Sequence, residues 1–386
     1  MCEQKIKTEE RNMKKFTALF LALLMCLSLF SVGAFAAMPD SGVCEDGLSW
    51  SVDSEGTLTI SGNGAIKDYL ANLVIETNVR HATSAPWGSY YKDHRTDIVK
   101  IVLSEGVTGI GKEAFYGLDS VKEVVIPASL TTIASDAFMR CSGIEKFTVT
   151  SGNTSFCDDN GIMFSKDKKT LVFYPTAKEG AYEVPNTVTK IGDYAFYECS
   201  KLTGVTFPAS LNSIGIYAFA FCPRLTEIVI PGSVSTVGAY AFFHCTDIAS
   251  LTLSEGLKSI GDFAFCGSDY LKTVTIPKSV TAIGGFAFAG CKQLKEAKFL
   301  GHAPKEFGST PFGSDTEAYE RDFHLLLPAN DSTWTKNKPP YLVWDRYDIE
   351  YYDAGIVNNP FSFITDLLDS IMNIFRNLFS WLPFFG

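Results

Sequence analysis

The sequence predicts a repeat solenoid of about 23 residues per rung with one parallel sheet face. The first observation is a dipeptide, Ala-Phe, that recurs at 114–115, 137–138, 195–196, 218–219, 241–242, 264–265 and 287–288. The interval is constant except between the second and third pairs, where it equals one rung plus a long insertion. The second observation is that one order of apolar, Pro, Ser and Gly positions fills each interval. A unit this short cannot bury its apolar face alone, so stacked neighbours must form the core.

The N-terminus predicts export. From Met13 to Ala37 the chain is MKKFTALFLALLMCLSLFSVGAFAA: two lysines, an apolar stretch and small residues around the expected cleavage site. This pattern is typical of a secretory signal peptide. We therefore predict a signal peptide over residues 1–36, with Met13 as an alternative start, and a secreted protein that is extracellular or held at the cell surface. A lipoprotein would need a small residue before Cys26, where Met25 stands.

Charge excludes one class of partner. The chain has 386 residues and a formal net charge of −10, and it contains no run of basic residues. An acidic protein of this kind repels the phosphate backbone, so we expect no nucleic-acid binding.

Each rung can be divided into a strand and a returning arc. In LTEIVIPGSVSTVGAYAF, residues 225–242, the apolar spacing L-x-x-I-x-I predicts a half-buried strand that Pro231 ends. Ser233 lies where a hydroxyl can bond the turning backbone. The arc that follows has a Gly for a tight turn, an Ala for close approach and a Phe to fill the interior. We predict this solenoid over residues 99–350, with closing rungs at 300–350, a β-rich N-terminal cap at 37–98, and an inserted module at 150–184 built on an Asn160-Gly161 hairpin.

These motifs resemble the BspA-type leucine-rich repeats of bacterial surface proteins. The resemblance covers about residues 99–299, and the segment GLSWSVDSEGTLTISGNGAIKDY that precedes it is similar to the N-terminal cap of that family. The resemblance implies an exported, non-catalytic solenoid that adheres to host or bacterial surface proteins or glycans. It implies no particular ligand.

Five cysteines share one column, three residues after the Phe: Cys141, Cys199, Cys222, Cys245 and Cys291. Leu118 and Ser268 occupy the same column in other rungs, which favours a buried packing role. Disulfides between neighbouring rungs are the alternative, although in-register side chains point the same way and sit too far apart for good geometry. Zinc ligation is disfavoured because neither paired cysteines nor nearby histidines are present.

No cofactor, metal or catalytic site is predicted. GIGKEA, residues 109–114, matches a dinucleotide-binding fingerprint, but the same I-G-x-x-A recurs in other rungs without a strand–helix crossover. Histidines are scattered and no nucleophile motif occurs. Glu105, Glu123, Glu227 and Glu255 lie on repeated positions, and we interpret them as solvated face charges. The chain is therefore not expected to be an enzyme.

Two outward columns of the predicted sheet are the first candidate binding surface. Strand side chains that alternate with buried ones must face solvent. The candidate ligand-binding residues are Glu123, Val125, Thr206, Glu227, Val229, Thr252, Thr273 and Thr275. The competing interpretation is that Thr and Val are merely good exposed strand formers.

A stripe of aromatic residues is the alternative surface. One aromatic side chain precedes the Ala in five successive rungs: Tyr194, Tyr217, Tyr240, Phe263 and Phe286. Such a stripe can stack on sugars or anchor a protein, but ladders of this kind more often pack against themselves, and we favour packing.

The C-terminal 351–386 differs from the rungs and is predicted to be a linker followed by a hydrophobic amphipathic helix. Between Phe361 and Leu382 a narrow polar stripe interrupts an otherwise apolar surface. We expect peripheral membrane contact or self-association through this helix. The alternative function is therefore a structural, self-assembling envelope protein.

Overall fold

The predicted repeat solenoid is confirmed by the computed structural model, which describes residues 41–44, 47–69, 71–74, 79–88, 98–313, 323–329, 331, 333–336 and 348–352. The predicted signal peptide, residues 1–36, and the predicted helix from Phe361 to Leu382 lie outside these residues. Within the described part of the chain, no helix is long and apolar enough to cross a membrane.

Short β-strands make up almost all of the regular structure. At the N-terminal end they are β1 (Ser41–Val43), β2 (Ser49–Val52), β3 (Thr57–Ser61), β4 (Gly64–Ile66), β5 (Ala71–Val74) and β6 (Val79–Thr83). The first rungs contain β7 (Lys100–Leu103), β8 (Val107–Ile110), β9 (Glu123–Ile126), β10 (Thr132–Ile133) and β11 (Lys146–Val149). The insertion and the start of the next rung contain β12 (Phe156–Asp159), β13 (Ile162–Ser165), β14 (Thr170–Phe173) and β15 (Gly180–Glu183).

The later rungs alternate longer and two-residue strands: β16 (Lys190–Ile191), β17 (Leu202–Thr206), β18 (Ser213–Ile214), β19 (Glu227–Ile230), β20 (Thr236–Val237), β21 (Ser250–Leu253), β22 (Ser259–Ile260), β23 (Thr273–Ile276), β24 (Ala282–Ile283), β25 (Glu296–Phe299) and β26 (Glu306–Phe307). The described chain ends with β27 (His324–Pro328), a one-turn helix α1 (Thr333–Lys336) and β28 (Asp348–Tyr352).

The longer strands stack in parallel and in register. β7, β9 and β11 follow β3 in one sheet, and the pairs β15–β17 and β19–β21 and the four strands β23–β25–β27–β28 continue the same arrangement. Glu227 lies opposite Ser250, and Thr273 lies opposite Glu296, so each residue faces its counterpart in the next rung. Equivalent side chains of successive rungs therefore form straight columns. We call the outward surface of these strands the sheet face.

Six two-residue strands and the four-residue β14 form a second parallel stack, an element that the repeat pattern did not predict. β14, β16, β18, β20, β22, β24 and β26 are consecutive neighbours in one sheet. From β16 to β24 each two-residue strand ends on the Ile or Val of the Ile-Gly or Val-Gly pair, as Ser213–Ile214 directly precedes Gly215. Successive rungs are thus hydrogen-bonded to one another through both sets of strands, which gives partners to the backbone amide and carbonyl groups of the arc.

At the N-terminal end the pairing changes direction. β1, β2 and β3 form antiparallel pairs in sequence, and β3 then pairs in parallel with β7. Trp87 is fully buried and stacks on Phe115, the first Phe of the repeat, with ring centroids 5.5 Å apart. The role of residues 37–98 as a cap stays a prediction.

The Ala-Phe pairs form the centre of the core. Their Phe rings from Phe196 to Phe288 stack in parallel, with successive centroid distances of 4.4, 5.0, 5.2 and 5.3 Å. The Ala before each ring is buried as well, which lets successive arcs approach. Parallel aromatic pairs add about 0.5–1.5 kcal/mol each beyond the burial of their area.

The insertion contains the hairpin of β12 and β13. Its turn is Asn160-Gly161, and both residues have left-handed φ angles, 51° and 80°. Nearby, Asn153 is almost fully buried, and its amide donates to the carbonyl oxygens of Pro127 and Leu130 in the preceding rung. The insertion is therefore anchored to the rung before it.

Candidate functional site

The sheet face carries a patch of exposed side chains that form no side-chain hydrogen bond or ion pair within the described part of the chain. Glu227, Val229, Ser250, Thr252, Thr273 and Thr275 are all exposed, and none of them takes part in a side-chain hydrogen bond or ion pair among the described residues. Val229 is 47% exposed, although its strand neighbours Ile228 and Ile230 are fully buried. These six residues lie on β19, β21 and β23, and we call them the sheet patch.

Register fixes the geometry of the sheet patch. Glu227 pairs with Ser250 and Val229 pairs with Thr252 across β19 and β21. Paired parallel strands lie about 4.8 Å apart, so the exposed side chains of β19 and β21 form closely spaced rows, and β23 lies in the next rung. Exposed strand residues of this kind suit another macromolecule better than a small molecule, which needs a concave site.

The earlier candidates on the same face have different surroundings. Glu123 is largely covered, and its carboxylate binds Lys100 and Lys146, each at 3.1 Å, and accepts from the hydroxyl of Thr148 at 2.9 Å. Partial burial alone would raise the pKa of Glu123, but these hydrogen bonds bring it below its ordinary value. Glu123 therefore links three strands, and the interpretation as a solvated face charge was wrong for it.

Of the other two candidates, Val125 is half-buried on β9. Thr206 is exposed at the end of β17, opposite Glu183 of β15. The structure thus brings Glu227, Val229, Thr252, Thr273 and Thr275 together and leaves Glu123 and Val125 on an earlier block of rungs. Binding by any of them stays a prediction.

The aromatic stripe is a self-stacked ladder. Its successive ring centroids, from Tyr194 to Phe286, are 5.0, 4.5, 4.8 and 5.0 Å apart, and the rings are nearly parallel. All five residues are half-buried and have left-handed φ angles of 54–58°. Burial raises the pKa of Tyr194 to about 12. The rings therefore pack on one another along the arc, as the favoured interpretation predicted.

The cysteine column has a role that sequence patterns did not suggest. The five thiols are buried and free. Four of them donate to the carbonyl oxygen of the Phe in the preceding rung: the Sγ–O distances are 3.0 Å for Cys141, Cys222 and Cys245 and 3.3 Å for Cys291. Burial raises the pKa of Cys141, Cys222 and Cys245, so these thiols stay protonated.

Protonated, buried thiols are poor nucleophiles and poor metal ligands. Among the described residues, no group of three or more His, Cys, Asp or Glu side chains is placed to hold a metal ion. The column therefore tightens the contact between rungs.

Two of the repeated glutamates, Glu105 and Glu255, are exposed, as expected for solvated face charges, and they also hold neighbouring rungs together. The carboxylate of Glu255 accepts from the amides of Lys278 and Ser279, at 3.0 and 3.1 Å. Glu105 accepts in the same way from Ala128 and Ser129, at 2.8 and 3.1 Å. Both carboxylates lie at the surface but are bound, because the next turn presents two amides to them.

The serine column acts between rungs as well. Ser129 and Ser210 donate to carbonyl oxygens of the preceding rung at 2.8 Å, and Ser279 accepts from the amide of Gly256 at 2.9 Å. The hydroxyls bond a turning backbone, as predicted, but the backbone is that of the previous rung.

The comparisons with known proteins return leucine-rich repeat proteins. The profile described as BspA type leucine rich repeat region matches residues 89–169 and 167–295, in six copies. Similar solved structures include a leucine-rich repeat protein from Eubacterium ventriosum, 21% identical, which covers 71% of this chain and 94% of that chain with a TM-score of 0.46. The pneumococcal vaccine antigen PcpA is 16% identical, over 81% of this chain and 98% of that chain, with a TM-score of 0.44.

A leucine rich cell surface protein from Faecalibacterium prausnitzii is 18% identical, over 67% of this chain and 88% of that chain, with a TM-score of 0.32. No curated protein matches the chain. The family profile covers more than half of the sequence, and its repeats coincide with the stacked rungs. The chain belongs to the BspA-type leucine-rich repeat family.

Proposed function

We propose that this chain is an exported, non-catalytic binding protein of the bacterial cell surface, and that it captures a protein partner on the sheet patch. Membership in the BspA-type family supports a repeat-based binding role. In this proposal residues 1–36 direct export, residues 37–98 cap the solenoid, and the segment from Phe361 to Leu382 holds the chain at a membrane or at a second chain.

One observation carries the proposal: the sheet patch has exposed side chains without internal partners on a rigid support. Glu227 and Val229 lie on β19, whose alternate residues are fully buried in the core. Binding there therefore requires neither the breaking of internal ion pairs nor the ordering of a loop. The contrast with Glu123, which already binds three side chains on the same face, favours the later rungs as the contact surface.

The test is a screen of the mature chain against immobilised host extracellular-matrix proteins and bacterial surface proteins, followed by substitution. Glu227→Arg, Val229→Arg and Thr252→Arg place bulk and positive charge in the sheet patch. Ile216→Arg is the matched control, because Ile216 is 45% exposed and lies after β18, away from the sheet face. We expect each patch substitution to weaken a hit by about tenfold or more, and the control by less than about twofold.

Two results would argue against the proposal. Binding that survives all three patch substitutions would move the contact elsewhere. A chain that binds none of these proteins, and that loses only its assembly state when residues 361–386 are deleted, would favour the self-assembling envelope protein instead.

A further inference from the structure

The residue two positions after the Phe of each Ala-Phe pair, which we call the corner residue, has a left-handed backbone. The seven corner residues divide into two groups. Three rungs place glycine there, at Gly117, Gly267 and Gly290, with φ angles of 78°, 78° and 66°. The four rungs between Gly117 and Gly267 place Arg140, Glu198, Phe221 and His244 at the same position, with φ angles of 53–60°. Glycine adopts this conformation without steric cost and other residues do not. In these four rungs a side chain therefore occupies a position where glycine would adopt the same backbone without steric cost.

These four side chains interact in pairs along the solenoid: Arg140 lies beside Glu198, and the rings of Phe221 and His244 stack with centroids 5.7 Å apart. The aromatic ladder also has left-handed φ angles, but its members are alike and stack on one another along the solenoid. At the corner the residue type changes at every rung, from a cation to an anion to a phenyl ring to an imidazole. Residues held in strained backbone conformations cluster at active sites and ligand clamps.

The four rungs line an open groove of about 390 Å³. Its walls include Glu198, the half-buried ring of Phe221 and the exposed ring of His244. The other lining residues each follow a cysteine: Ser142, Ser200 and Thr246 carry hydroxyls, and Pro223 carries an apolar ring. We call this site the corner groove. Its volume lies within the range of about 300–1,000 Å³ that is usual for small-molecule sites.

Glu198 of the corner groove is paired with Arg140, which lies beside the lining residues. Arg140 Nε lies 3.5 Å from Glu198 Oε1, and the Arg140 side chain is half-exposed while that of Glu198 is mostly covered. Burial raises the pKa of Glu198 above its ordinary value. This is the one described side-chain contact of the Glu198 carboxylate, so its second oxygen and the terminal guanidinium nitrogens of Arg140 are available to a ligand.

We propose that the corner groove binds a neutral oligosaccharide. A sugar hydroxyl both donates and accepts, and the groove offers an acceptor in Glu198, which has the Arg140 guanidinium beside it, and the hydroxyls of Ser142, Ser200 and Thr246. Because the two charges balance, a charged ligand gains little from the site as a whole. Phe221 and Pro223 supply apolar surface for the C–H face of a sugar ring. This inference goes beyond the sheet-patch proposal and does not depend on it.

The test measures binding of the full chain to a panel of neutral trisaccharides, built from hexoses and N-acetylhexosamines and displayed on an uncharged polymer. The same polymer carrying oligolysine or oligoglutamate tests charged polypeptides. Phe221→Gly removes the ring and installs the residue that Gly267 and Gly290 already provide in this column. Glu198→Gln keeps the shape of the carboxylate and removes its charge, so it probes the site without a loss of packing.

Phe243→Ala is the matched control. Phe243 lies edge-on to Phe221, with centroids 5.5 Å apart, but it does not line the groove. Other rungs have alanine at its position, as Ala220 and Ala289 show. Val229→Arg separates this site from the sheet patch.

We expect at least one trisaccharide to bind, with affinity lowered about tenfold or more by Phe221→Gly and about fivefold by Glu198→Gln, and changed less than about twofold by the two controls. Melting curves must show that the variants are folded. The proposal is overturned if no trisaccharide binds, or if binding is unchanged in both folded groove variants. It is also overturned if only a charged peptide binds in a manner that depends on Phe221 and Glu198.

Discussion

Ser268 breaks the pattern of the cysteine column and gives the sharpest prediction of stability. It is fully buried, and its hydroxyl has no hydrogen-bond partner among the described residues. In the rungs on either side, Cys245 and Cys291 donate to the Phe carbonyl of the preceding rung at 3.0 and 3.3 Å. A C–O bond is shorter than a C–S bond, so the serine hydroxyl stops short of the same acceptor.

Ser268→Cys should therefore stabilise the protein. A buried hydroxyl without a partner costs about 1–3 kcal/mol. The thiol removes that cost and adds a weak hydrogen bond, while its larger volume is already accommodated in the neighbouring rungs. We expect a gain of about 1 kcal/mol, which corresponds to a melting temperature higher by about 2–4 °C for a body of this size.

The assay is urea unfolding under reducing conditions, with two companion variants. Ser268→Ala removes the hydroxyl without adding a donor and should give a smaller gain. Cys245→Ser creates the same defect one rung earlier and should cost about 1–3 kcal/mol. If Ser268→Cys is no more stable than the parent and Cys245→Ser is neutral, the thiol–carbonyl bonds contribute nothing and the column is a matter of volume alone.

Three further substitutions test other contacts. Burial raises the pKa of Asp136, so at pH values above that pKa its charge opposes folding. Asp136→Asn should therefore stabilise the protein by less than about 1 kcal/mol at pH 7. Near pH 3, where the carboxyl is protonated in both states, the substitution should leave stability unchanged, and urea midpoints at the two pH values would show this difference. Equal effects at both pH values would contradict this origin. Glu255→Ala should speed hydrogen exchange at the backbone amides of Lys278 and Ser279 by about tenfold or more. Unchanged exchange rates would mean that the Glu255 carboxylate does not hold the next turn. Phe219→Ala removes a ring from the middle of the Phe stack, where the centroids of Phe196 and Phe242 lie 4.4 and 5.0 Å away. It should lower the free energy of unfolding in urea by about 3–5 kcal/mol. A loss below about 1 kcal/mol would show that the stack is not the core.

The fold was predictable because each buried position recurs. The Ala-Phe pairs, the alternating strand positions and the Pro after each strand all follow from the need to bury one face of a repeated unit, and the structure places them as expected. The partner of an exposed carboxylate could not be predicted in the same way. Glu105 and Glu255 each bind amides of the following rung, and only the coil geometry shows that those amides are within reach.

The corner groove escaped sequence analysis for a related reason. Its four corner residues share no chemical character, so no column of similar side chains marks them. One signal was available: glycine stands at the same position in three other rungs, which indicates a left-handed backbone. The sheet patch, by contrast, was predicted from strand alternation alone, although its separation from Glu123 depends on the contacts of Lys100 and Lys146.

The most direct test of the central claim, that each rung is an interchangeable unit, is the unfolding of a chain that lacks one rung. Deleting residues 231–253 joins the end of β19 to the segment after β21 and preserves every column. Deleting residues 231–242 removes half a rung and breaks the register. We predict that the first deletion keeps the far-ultraviolet circular dichroism of β-structure and a cooperative urea transition, and that the second loses both. Two deletions that are equally disruptive would contradict the stacked-rung architecture from which the candidate sites are derived.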